Sequence, residues 1–303
     1  MTGRRIVRGF DLFNFFWQRK VLGQKIPLLA SFKLTYRCNI DCRGCPFHLR
    51  AHDGDANMTW EQALAALAIL KGKGTRIVVF EGGEPLLWRD GGHTLNELVL
   101  EAQKLFSTVA VTTNGTLPLD VPADILWVSL DGLPTTQDRL RSGSFAQVWQ
   151  NLKAAKHPRL FIHFTMNSEN WRELEGLLEL LGELPVVRGV TVQLFYPYGQ
   201  GEAPLSLPPA ERRAAAENAL RLKHKYPILN SRRSLRAMIA NDWRCHDDIL
   251  INVDPDGQVT RGCYAKNRGP ISCPDCGFTP VAEASGALDL HPGSLVAGCR
   301  VFL

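Results

Sequence analysis

A regular alternation of short β-rich runs with amphipathic helical patterns constrains the fold of this chain most strongly. The β-rich runs occupy residues 31–36, 76–81, 108–113, 125–130, 159–165 and 190–195. Helical patterns occupy residues 59–72, 93–106, 145–156 and 170–182, and the first starts with the capping-box pair Thr59 and Gln62. This alternation predicts an α/β fold with a parallel sheet, either open or curled into a partial barrel. Such sheets carry their functional residues at the carboxyl ends of the strands.

The alternation stops after a proline-bearing break, GEAPLSLPPAERR at 201–213, which leads into a basic helical pattern at 209–225. Beyond it, ILINVDPDGQVTRGC at 249–263 predicts a β-hairpin that turns at residues 254–257. Little helical pattern surrounds the cysteines of this tail. We therefore predict three parts: an N-terminal helical segment over 1–27, a core domain over 28–230 and a small cysteine-rich extension over 231–303.

Composition narrows the class of protein. The balance of 35 basic and 30 acidic residues gives a net charge of only +5, which predicts no nucleic-acid partner. No run of eighteen apolar residues occurs, so no transmembrane segment is expected. Asp11, Asn14 and Gln18 break the apolar stretch that an export signal needs. The 8 cysteines are too few for a disulfide scaffold and indicate metal ligation in a reducing cytosol, so we expect a cytoplasmic protein.

Three of these cysteines, Cys38, Cys42 and Cys45, lie in LTYRCNIDCRGCPFHLR, directly after the first predicted strand. Four thiolates would close an iron-sulfur cluster or a zinc site. Three thiolates on a cubane cluster leave one iron without a protein ligand and therefore open to a cofactor or substrate. The alternatives are a zinc knot or redox-sensing thiols, although zinc motifs usually bring CxxC pairs in twos.

The segment CNIDCRGC resembles the CxxxCxxC signature of the radical S-adenosylmethionine (radical SAM) enzymes, and the resemblance covers about residues 28–200. It implies a partial (β/α)6 barrel in which Cys38, Cys42 and Cys45 hold a 4Fe-4S cluster. In that family, S-adenosylmethionine chelates the open iron, and an electron from the cluster splits it to a 5′-deoxyadenosyl radical that takes a hydrogen atom from the substrate. A reductant such as a ferredoxin or flavodoxin is implied as a partner. In that family, the residue just before the third cysteine is usually aromatic and lies against the adenine. In this chain the same position is Gly44, and Phe47 is a candidate replacement for the aromatic ring.

Candidate cofactor-binding residues follow the next strands. In FEGGEPLL, the residues Gly82, Gly83 and Glu84 resemble the family's GGE motif, whose glycines admit a ligand and whose carboxylate accepts hydrogen bonds from the methionine ammonium. Polar residues at later strand ends can bond the ribose or the methionine carboxylate, or can simply form turns. These residues are Asn114, Ser129 and Asp131, with Thr113 on the same rim of the sheet. At the ends of the fifth and sixth strands, the residues expected to face the cofactor or the substrate are Asn167, Gln193 and Tyr196.

The C-terminal extension supplies a second set of metal ligands, namely Cys245, Cys263, Cys273 and Cys276. Four thiolates predict a closed site, either a cluster or zinc. Their order is similar to the twitch or SPASM extensions of radical SAM enzymes, which implies one auxiliary 4Fe-4S cluster, with structural zinc as the alternative. We expect Cys299 to be a buried free thiol.

The N-terminal segment places Leu12, Phe13, Phe16 and Trp17 on one face of a helix flanked by basic residues. Such a helix covers the open bottom or edge of a barrel, or it docks on a membrane surface in a peripheral contact or on a bound apolar substrate.

The predicted function is that of a radical SAM enzyme with a twitch-like extension, which abstracts a hydrogen atom from an unidentified small molecule, peptide or lipid. The alternative from another class is an iron-sulfur electron-transfer protein without radical chemistry. The GGE motif and the polar strand ends argue against it, because a carrier protein needs no cofactor pocket.

Overall fold

Ten strands and ten helices form the described part of the protein, which is seen in a computed structural model at residues 2–45, 47, 57–199, 201–267, 272–273, 276 and 279–303. The strands are β1 (Leu29–Thr35), β2 (Ile77–Gly82), β3 (Arg89–Asp90), β4 (His93–Thr94), β5 (Thr108–Thr113), β6 (Ile125–Ser129), β7 (Leu160–Met166), β8 (Val187–Leu194), β9 (Leu250–Val253) and β10 (Val259–Arg261). The helices are α1 (Thr2–Lys20), α2 (Trp60–Gly72), α3 (Leu95–Leu105), α4 (Pro134–Leu140), α5 (Phe145–Ala154), α6 (Leu174–Leu181), α7 (Pro209–Leu222), α8 (Arg232–Ala240), α9 (Thr279–Leu288) and α10 (Pro292–Phe302).

The main sheet has the strand order β10-β9-β1-β2-β5-β6-β7-β8, and all neighbours in it are parallel except β9 and β10. Six consecutive strands of this sheet, β1, β2, β5, β6, β7 and β8, are those predicted from the β-rich runs, and β8 forms one edge of the sheet. The sequences of these strands are nearly continuous apolar runs because both faces of the sheet are buried, one under helices and the other in the interior of the protein. The predicted α/β fold with a parallel sheet is therefore confirmed.

The helices that follow these six parallel strands pack on the outer face of the sheet, and together with the strands they form the main hydrophobic core. Leu67 of α2, Leu98 of α3 and Leu177 of α6 are fully buried there with the outward side chains of the strands. The predicted capping box at the start of α2 is present, since the Gln62 backbone N–H donates to Thr59 Oγ1 and the Thr59 backbone N–H donates to the Gln62 side chain.

The tail is more helical than its sequence predicts. Two helices, α9 and α10, follow its cysteines, and α8 precedes them, so the expectation of little helical structure is wrong. Small residues hide the helical period in α9 and α10, whose sequences are TPVAEASGAL and PGSLVAGCRVF. These helices are stabilised by burial of residues such as Val281 and Val301 rather than by a continuous apolar stripe.

The predicted hairpin is confirmed as β9 and β10, and it joins the main sheet. Leu250 of β9 lies opposite Leu29 of β1 in parallel register. Asp254, in the hairpin turn, accepts a hydrogen bond from the Tyr36 hydroxyl at 3.0 Å and lies 3.4 Å from the buried Lys33 Nζ. The hairpin is thus continuous with the sheet of the core domain, and the division near residue 230 stays a prediction.

The amino ends of the strands are closed by both chain ends. Val301 and Phe302 of α10 pack with Ile125 and Phe161 in a cluster at this end. Helix α1 crosses the same end, where Arg8 Nε donates to the Ser107 carbonyl at 2.8 Å, just before β5. The predicted covering role of α1 agrees with this placement. No helix in the described residues is both long and apolar enough to cross a membrane.

The outer edge of β8 is protected by the buried side chain of Asn230, which imitates the backbone of a neighbouring strand. Asn230 Oδ1 accepts a hydrogen bond from the Val192 N–H at 2.8 Å, and Asn230 Nδ2 donates to the Val192 carbonyl at 2.9 Å. One residue earlier, the Leu229 N–H donates to the Val190 carbonyl at 2.8 Å. An unpaired strand at the edge of a sheet can pair with another chain and aggregate. The bonds that Leu229 and Asn230 make to β8, called here the edge clamp, pair the backbone groups of that strand.

We expect Asn230→Ala to lower the free energy of unfolding by about 2 to 4 kcal/mol, because two buried backbone groups of Val192 lose their partners. Urea denaturation monitored by circular dichroism measures the change. The matched control is Asn218→Ala on α7, whose side chain accepts an exposed hydrogen bond from Arg221 Nη2 at 2.9 Å and which should change the free energy by less than about 0.5 kcal/mol. Equal stability of the two variants would show that the edge clamp contributes nothing.

Candidate active site

The three cysteines predicted as cluster ligands line one cavity of about 240 Å³ at the carboxyl ends of the parallel strands. Cys38, Cys42 and Cys45 lie in the loop that follows β1. Gln193 of β8 lines the same cavity although β1 and β8 are not neighbours in the sheet, so the sheet curls into a partial barrel around it. The other predicted residues that line the cavity are Gly82, Gly83, Thr113, Asn114, Ser129, Asp131, Asn167 and Tyr196.

The thiols lie in a buried environment with two polar donors close to their sulfur atoms. Asn114 Nδ2 lies 3.6 Å from Cys38 Sγ, and Arg141 Nη1 lies 3.8 Å from Cys42 Sγ. Burial raises the pKa of Cys42 to about 12, the positive charge of Arg141 lowers it, and the nearby Cys45 and Cys38 raise it further. A bound cation offsets such a cost of ionising buried thiols.

The donor set fits an iron-sulfur cluster, because three thiols face one cavity and N–H groups of Asn114 and Arg141 are close enough to bond their sulfurs. Within the described residues, no three His, Cys, Asp or Glu side chains are grouped so that they could hold a metal ion. The assignment of the three cysteines as ligands therefore stays a prediction.

The two glycines of the GGE segment let the end of β2 contact the start of the cysteine loop. A Cβ on Gly83 would lie 2.1 Å from the Arg37 carbonyl oxygen, and a Cβ on Gly82 would lie 2.3 Å from the Thr35 carbonyl oxygen. Gly82 also has a φ of +136°, which favours glycine. In place of side chains, the Gly83 N–H donates to the Thr35 carbonyl at 2.7 Å. The close contact that requires glycine at positions 82 and 83 is therefore a contact within the chain, between the end of β2 and the start of the cysteine loop.

Glu84 is fully buried and lies outside the lining of the cavity. Its carboxylate accepts hydrogen bonds from the Leu86 N–H at 3.0 Å, the Thr113 hydroxyl at 2.8 Å and the Asn114 N–H at 2.7 Å. Burial raises the pKa of Glu84 to about 7, and the three donors oppose that increase. Glu84 therefore holds the end of β5 against the end of β2, and its predicted bond to the cofactor stays a prediction.

Asp131 and Arg141 form a buried ion pair beside Cys42. Asp131 Oδ2 accepts a hydrogen bond from Arg141 Nε at 2.6 Å, and Asp131 Oδ1 accepts one from the Thr165 N–H at 2.7 Å. Arg141 follows α4 in a loop and also lines the cavity. Arg141 is not among the predicted site residues, because it belongs to no motif and only the fold brings it to the cysteines.

An aromatic ring occupies the space beside Gly44. A Cβ on Gly44 would lie 2.8 Å from Cε2 of Phe195, whose ring comes from the end of β8 and lines the cavity. Phe47 also lines the cavity and stacks on Tyr36 with 5.4 Å between ring centroids. Phe195 and Phe47 thus both present aromatic rings to the cavity, and the replacement of the family's aromatic residue by Phe47 stays a prediction.

Polar side chains inside the barrel form a further part of the wall. Glu81 on β2, His163 on β7 and Gln193 on β8 all line the cavity. The Ser31 hydroxyl donates to Glu81, and the buried Lys33 Nζ lies 3.9 Å from its carboxylate. Burial lowers the pKa of His163, and a hydrogen bond with Gln193 opposes that decrease. The position of His163 in the wall of the cavity makes it a candidate for contact with a ligand.

The second set of cysteines lies near the cavity but in a different environment. Cys263 is buried, Cys276 is half-buried, and Cys245 and Cys273 are exposed. Although Cys245 is exposed, the partial desolvation of its thiol group raises its pKa to about 12, and the nearby Asp247, Cys263 and Cys276 add to the increase. The Ser272 N–H, next to Cys273, donates to the Tyr196 hydroxyl, which lines the cavity. The ligand role of these four residues is not tested by the geometry and stays a prediction.

The expectation that Cys299 is a buried thiol is wrong, because its side chain is exposed on α10. That helix turns Ala297 and Val301 toward the protein instead.

The chain is similar in sequence to known proteins. Residues 32–181 match the family model described as the Radical SAM superfamily. Fe-coproporphyrin III synthase of Methanosarcina barkeri (strain Fusaro / DSM 804) is 27% identical over 184 residues, which cover 57% of this chain and 45% of that protein. The chain spans about half the length of several curated relatives that it matches. A probable GTP 3′,8-cyclase of Methanopyrus kandleri is 29% identical over 265 residues, which cover 81% of this chain and 79% of that protein.

Among solved structures, the chain is similar in fold to Streptococcus suis SuiB bound to S-adenosylmethionine. The two share 15% sequence identity with a TM-score of 0.64, and the match covers 91% of this chain and 68% of that chain. At this identity the similarity concerns the fold, and it confirms the predicted barrel.

We expect Gly83→Ala to lower the free energy of unfolding by about 1 to 3 kcal/mol, since its Cβ would overlap the backbone just before Cys38. Iron retained after anaerobic reconstitution should fall with it, because the cysteine loop must move. The matched control is Gly72→Ala at the end of α2, where a Cβ meets no atom within 4 Å and which should behave as the parent. Parent-like stability and iron content in Gly83→Ala would contradict the proposed close contact.

Proposed function

Because residues 32–181 place the chain in the radical SAM superfamily, we propose that it cleaves S-adenosylmethionine reductively in the cavity lined by Cys38, Cys42 and Cys45. The product of that cleavage would then abstract a hydrogen atom from a substrate held in the same barrel. One observation carries the proposal: three thiols and the polar strand ends line a single cavity. The radical SAM family consists of enzymes that use a 4Fe-4S cluster and S-adenosylmethionine.

The three thiols would hold a 4Fe-4S cluster, which when bound supplies the electron that splits S-adenosylmethionine. Asn114 and Arg141 lie beside two of the sulfur atoms. Their N–H groups can stabilise thiolate charge in an otherwise buried setting. Asp131 acts through Arg141, which it holds at 2.6 Å. In this arrangement, Asp131 and Arg141 position one another and tune the electrostatic environment of the cysteine loop.

The cofactor's organic part would lie along the strand ends. Phe195 and Phe47 supply flat surfaces for the adenine, in the space left by Gly44. Ser129 and Asn114 supply hydroxyl and amide groups for the ribose or the methionine. Gly82 and Gly83 bring backbone groups to the same wall without side chains between.

The substrate would occupy the deeper part of the barrel. Glu81, His163 and Gln193 line it from three strands and can bond polar groups of a substrate. The names of the curated relatives refer to different products, which include Fe-coproporphyrin III, pre-heme d1 and the bacteriocin subtilosin. The class of substrate is therefore proposed from the cavity alone, as a molecule or peptide segment with polar groups. An acidic electron-transfer protein, such as a ferredoxin or flavodoxin, is the proposed reductant, and a cytoplasmic location is proposed from cysteine use.

An electron carrier without radical chemistry is the less favoured alternative. A carrier needs its clusters near the surface and no room beside them. Here the cavity extends from the cysteines to Gln193 on β8, and its wall carries the polar strand ends. This space is of use only to a bound cofactor and substrate.

The tail would hold an auxiliary 4Fe-4S cluster on Cys245, Cys263, Cys273 and Cys276. Cys263 and Cys276 lie close enough to Cys245 to raise its pKa. The contact between Ser272 and Tyr196 brings this set to the edge of the cavity. A cluster there could pass electrons to the barrel or contact the substrate. Zinc is the alternative occupant, since closed four-thiolate sites suit both.

We expect Cys38→Ala, Cys42→Ala and Cys45→Ala each to reduce the formation of 5′-deoxyadenosine from S-adenosylmethionine to background. The assay uses anaerobically reconstituted protein with dithionite and quantifies 5′-deoxyadenosine and methionine by chromatography. Cys299→Ala, which removes an exposed cysteine on α10, is the matched control and should cleave at the rate of the parent. Undiminished cleavage in any of the three variants would refute the assigned site.

A variant that lacks Cys38, Cys42 and Cys45 together decides between a cluster and zinc in the tail. With an auxiliary cluster, the reconstituted variant should be brown and contain about four irons per chain. With zinc it should be colourless and contain about one zinc per chain, because the filled d shell of zinc gives no visible transition. Further loss of Cys263 should remove the metal in either case, and further loss of Cys299 should not.

A further inference from the structure

Helix α1 has two apolar sides, of which only one is covered by the protein. Phe15 is 1% exposed and packs with Ile249, Leu250 and Val281. On the opposite side, Phe10, Phe13 and Trp17 are 71%, 64% and 49% exposed, and they recur at the spacing of one helix face. The four residues predicted to share one face therefore differ in environment, since Leu12 and Phe16 are half-buried.

The exposed side continues past the end of the helix. Val21 and Leu22 are 58% and 55% exposed in the turn that follows Lys20. Residues 10–22 thus hold five of the ten exposed large apolar side chains in the described residues. The other five, Ile69, Leu87, Leu100, Leu290 and Val296, are distributed over distant parts of the fold. A concentration of this kind marks an interaction surface rather than ordinary surface composition.

Polar anchors fix the orientation of the helix, so the exposed side cannot turn inward. Arg8 forms a buried ion pair with Asp124, and Asp11 accepts a hydrogen bond from the Ser107 hydroxyl. At the other end of α1, Arg19 Nη1 lies 2.9 Å from Asp248 Oδ2. The same residues that attach α1 to the barrel direct Phe10, Phe13 and Trp17 to solvent.

Charge identifies the occupant of this surface. Residues 1–25 contain six basic side chains and one acidic side chain, Asp11, while the whole chain carries a net charge of +5. Arg8 and Arg19 are paired with Asp124 and Asp248, so they add no free charge to the exposed side. Lys20 and Lys25 are exposed, with Lys20 Nζ at 3.9 Å from Asp289 Oδ1, and Asp11 is turned to the barrel. Aromatic side chains on a helix with basic neighbours are typical of helices that lie in the interface of a membrane.

A second copy of the chain fits this surface less well. A stable dimer buries about 800 Å² on each partner. The exposed stripe offers five large apolar side chains, whereas an interface of that size uses about 20 to 30 residues on each side. A bilayer needs no complementary groove, because it deforms around side chains that enter it.

We propose that α1 docks the protein on a bilayer that contains anionic lipids, with Phe10, Phe13, Trp17, Val21 and Leu22 inserted among the headgroups. This inference does not depend on the proposed function. Because α1 crosses the amino ends of the strands while the cavity opens at their carboxyl ends, docking directs the cavity away from the bilayer. Substrate would then arrive from the aqueous side.

Sedimentation with vesicles tests the proposal on the full chain. The parent should bind vesicles of phosphatidylcholine mixed with phosphatidylglycerol, and bind vesicles of phosphatidylcholine alone more weakly. The triple variant Phe10→Gln, Phe13→Gln, Trp17→Gln should bind the anionic vesicles at least about tenfold more weakly, because three large apolar side chains no longer leave water. Lys20→Gln with Lys25→Gln should reduce binding to anionic vesicles only, and 1 M salt, where the Debye length is about 3 Å, should do the same.

The control is a triple variant of exposed apolar residues elsewhere, Ile69→Gln, Leu100→Gln and Val296→Gln, which should bind as the parent does. Light scattering after size exclusion should show the same oligomeric state for the parent and the α1 triple variant. Absence of vesicle binding by the parent, or equal binding by both triple variants, would overturn the proposal. A parent that dimerises and an α1 triple variant that does not would overturn it in favour of a subunit interface.

Discussion

The contact between the end of β2 and the start of the cysteine loop is the constraint on which the candidate active site depends. The Gly83 N–H donates to the Thr35 carbonyl at 2.7 Å, and the Glu84 N–H donates to the Arg37 carbonyl at 2.8 Å. These two bonds hold the chain immediately before Cys38. Only residues without a Cβ permit the approach at positions 82 and 83, where any side chain would overlap carbonyl oxygens. A single short backbone contact thus sets where the three thiols begin.

A second layer of buried polar bonds transmits this position to the neighbouring strand ends. Glu84 ties the Asn114 N–H to the β2 end at 2.7 Å, and Asn114 Nδ2 in turn lies 3.6 Å from Cys38 Sγ. On the other side of the cavity lining, Asp131 holds Arg141 beside Cys42. Buried charges of this kind are costly to separate, so the pairs favour one arrangement of the loop over others. Rigid support of this kind is what a reactive cofactor site requires.

The two ends of the strands serve different purposes. At the carboxyl ends, glycines and polar residues leave a cavity. At the amino ends, Val301 and Phe302 fill the interior and α1 crosses outside them. The C-terminal tail contributes to the sheet in two places. Its β9–β10 hairpin extends the sheet beside β1, and α10 closes the amino ends of the strands. The extension is therefore part of the barrel's construction as well as the carrier of a second cysteine set.

Local patterns in the sequence determined six parallel strands, the helices α2, α3, α5 and α6 between them, the β9–β10 hairpin and the three cysteines after β1, but not the short helix α4. Each of these depends on residues that are neighbours along the chain, such as the capping pair Thr59 and Gln62. Tertiary structure alone decided what lies beside those elements. Arg141 and Phe195 reach the cysteine loop from α4 and β8, far away in sequence, and no spacing rule relates them to it. The exposure of Cys299 and of the Phe10, Phe13 and Trp17 stripe was equally hidden, because which side of a helix is buried depends on what packs against it. Periodicity in a sequence follows from local geometry, whereas the chemistry of a cavity follows from long-range contacts between side chains that the fold brings together.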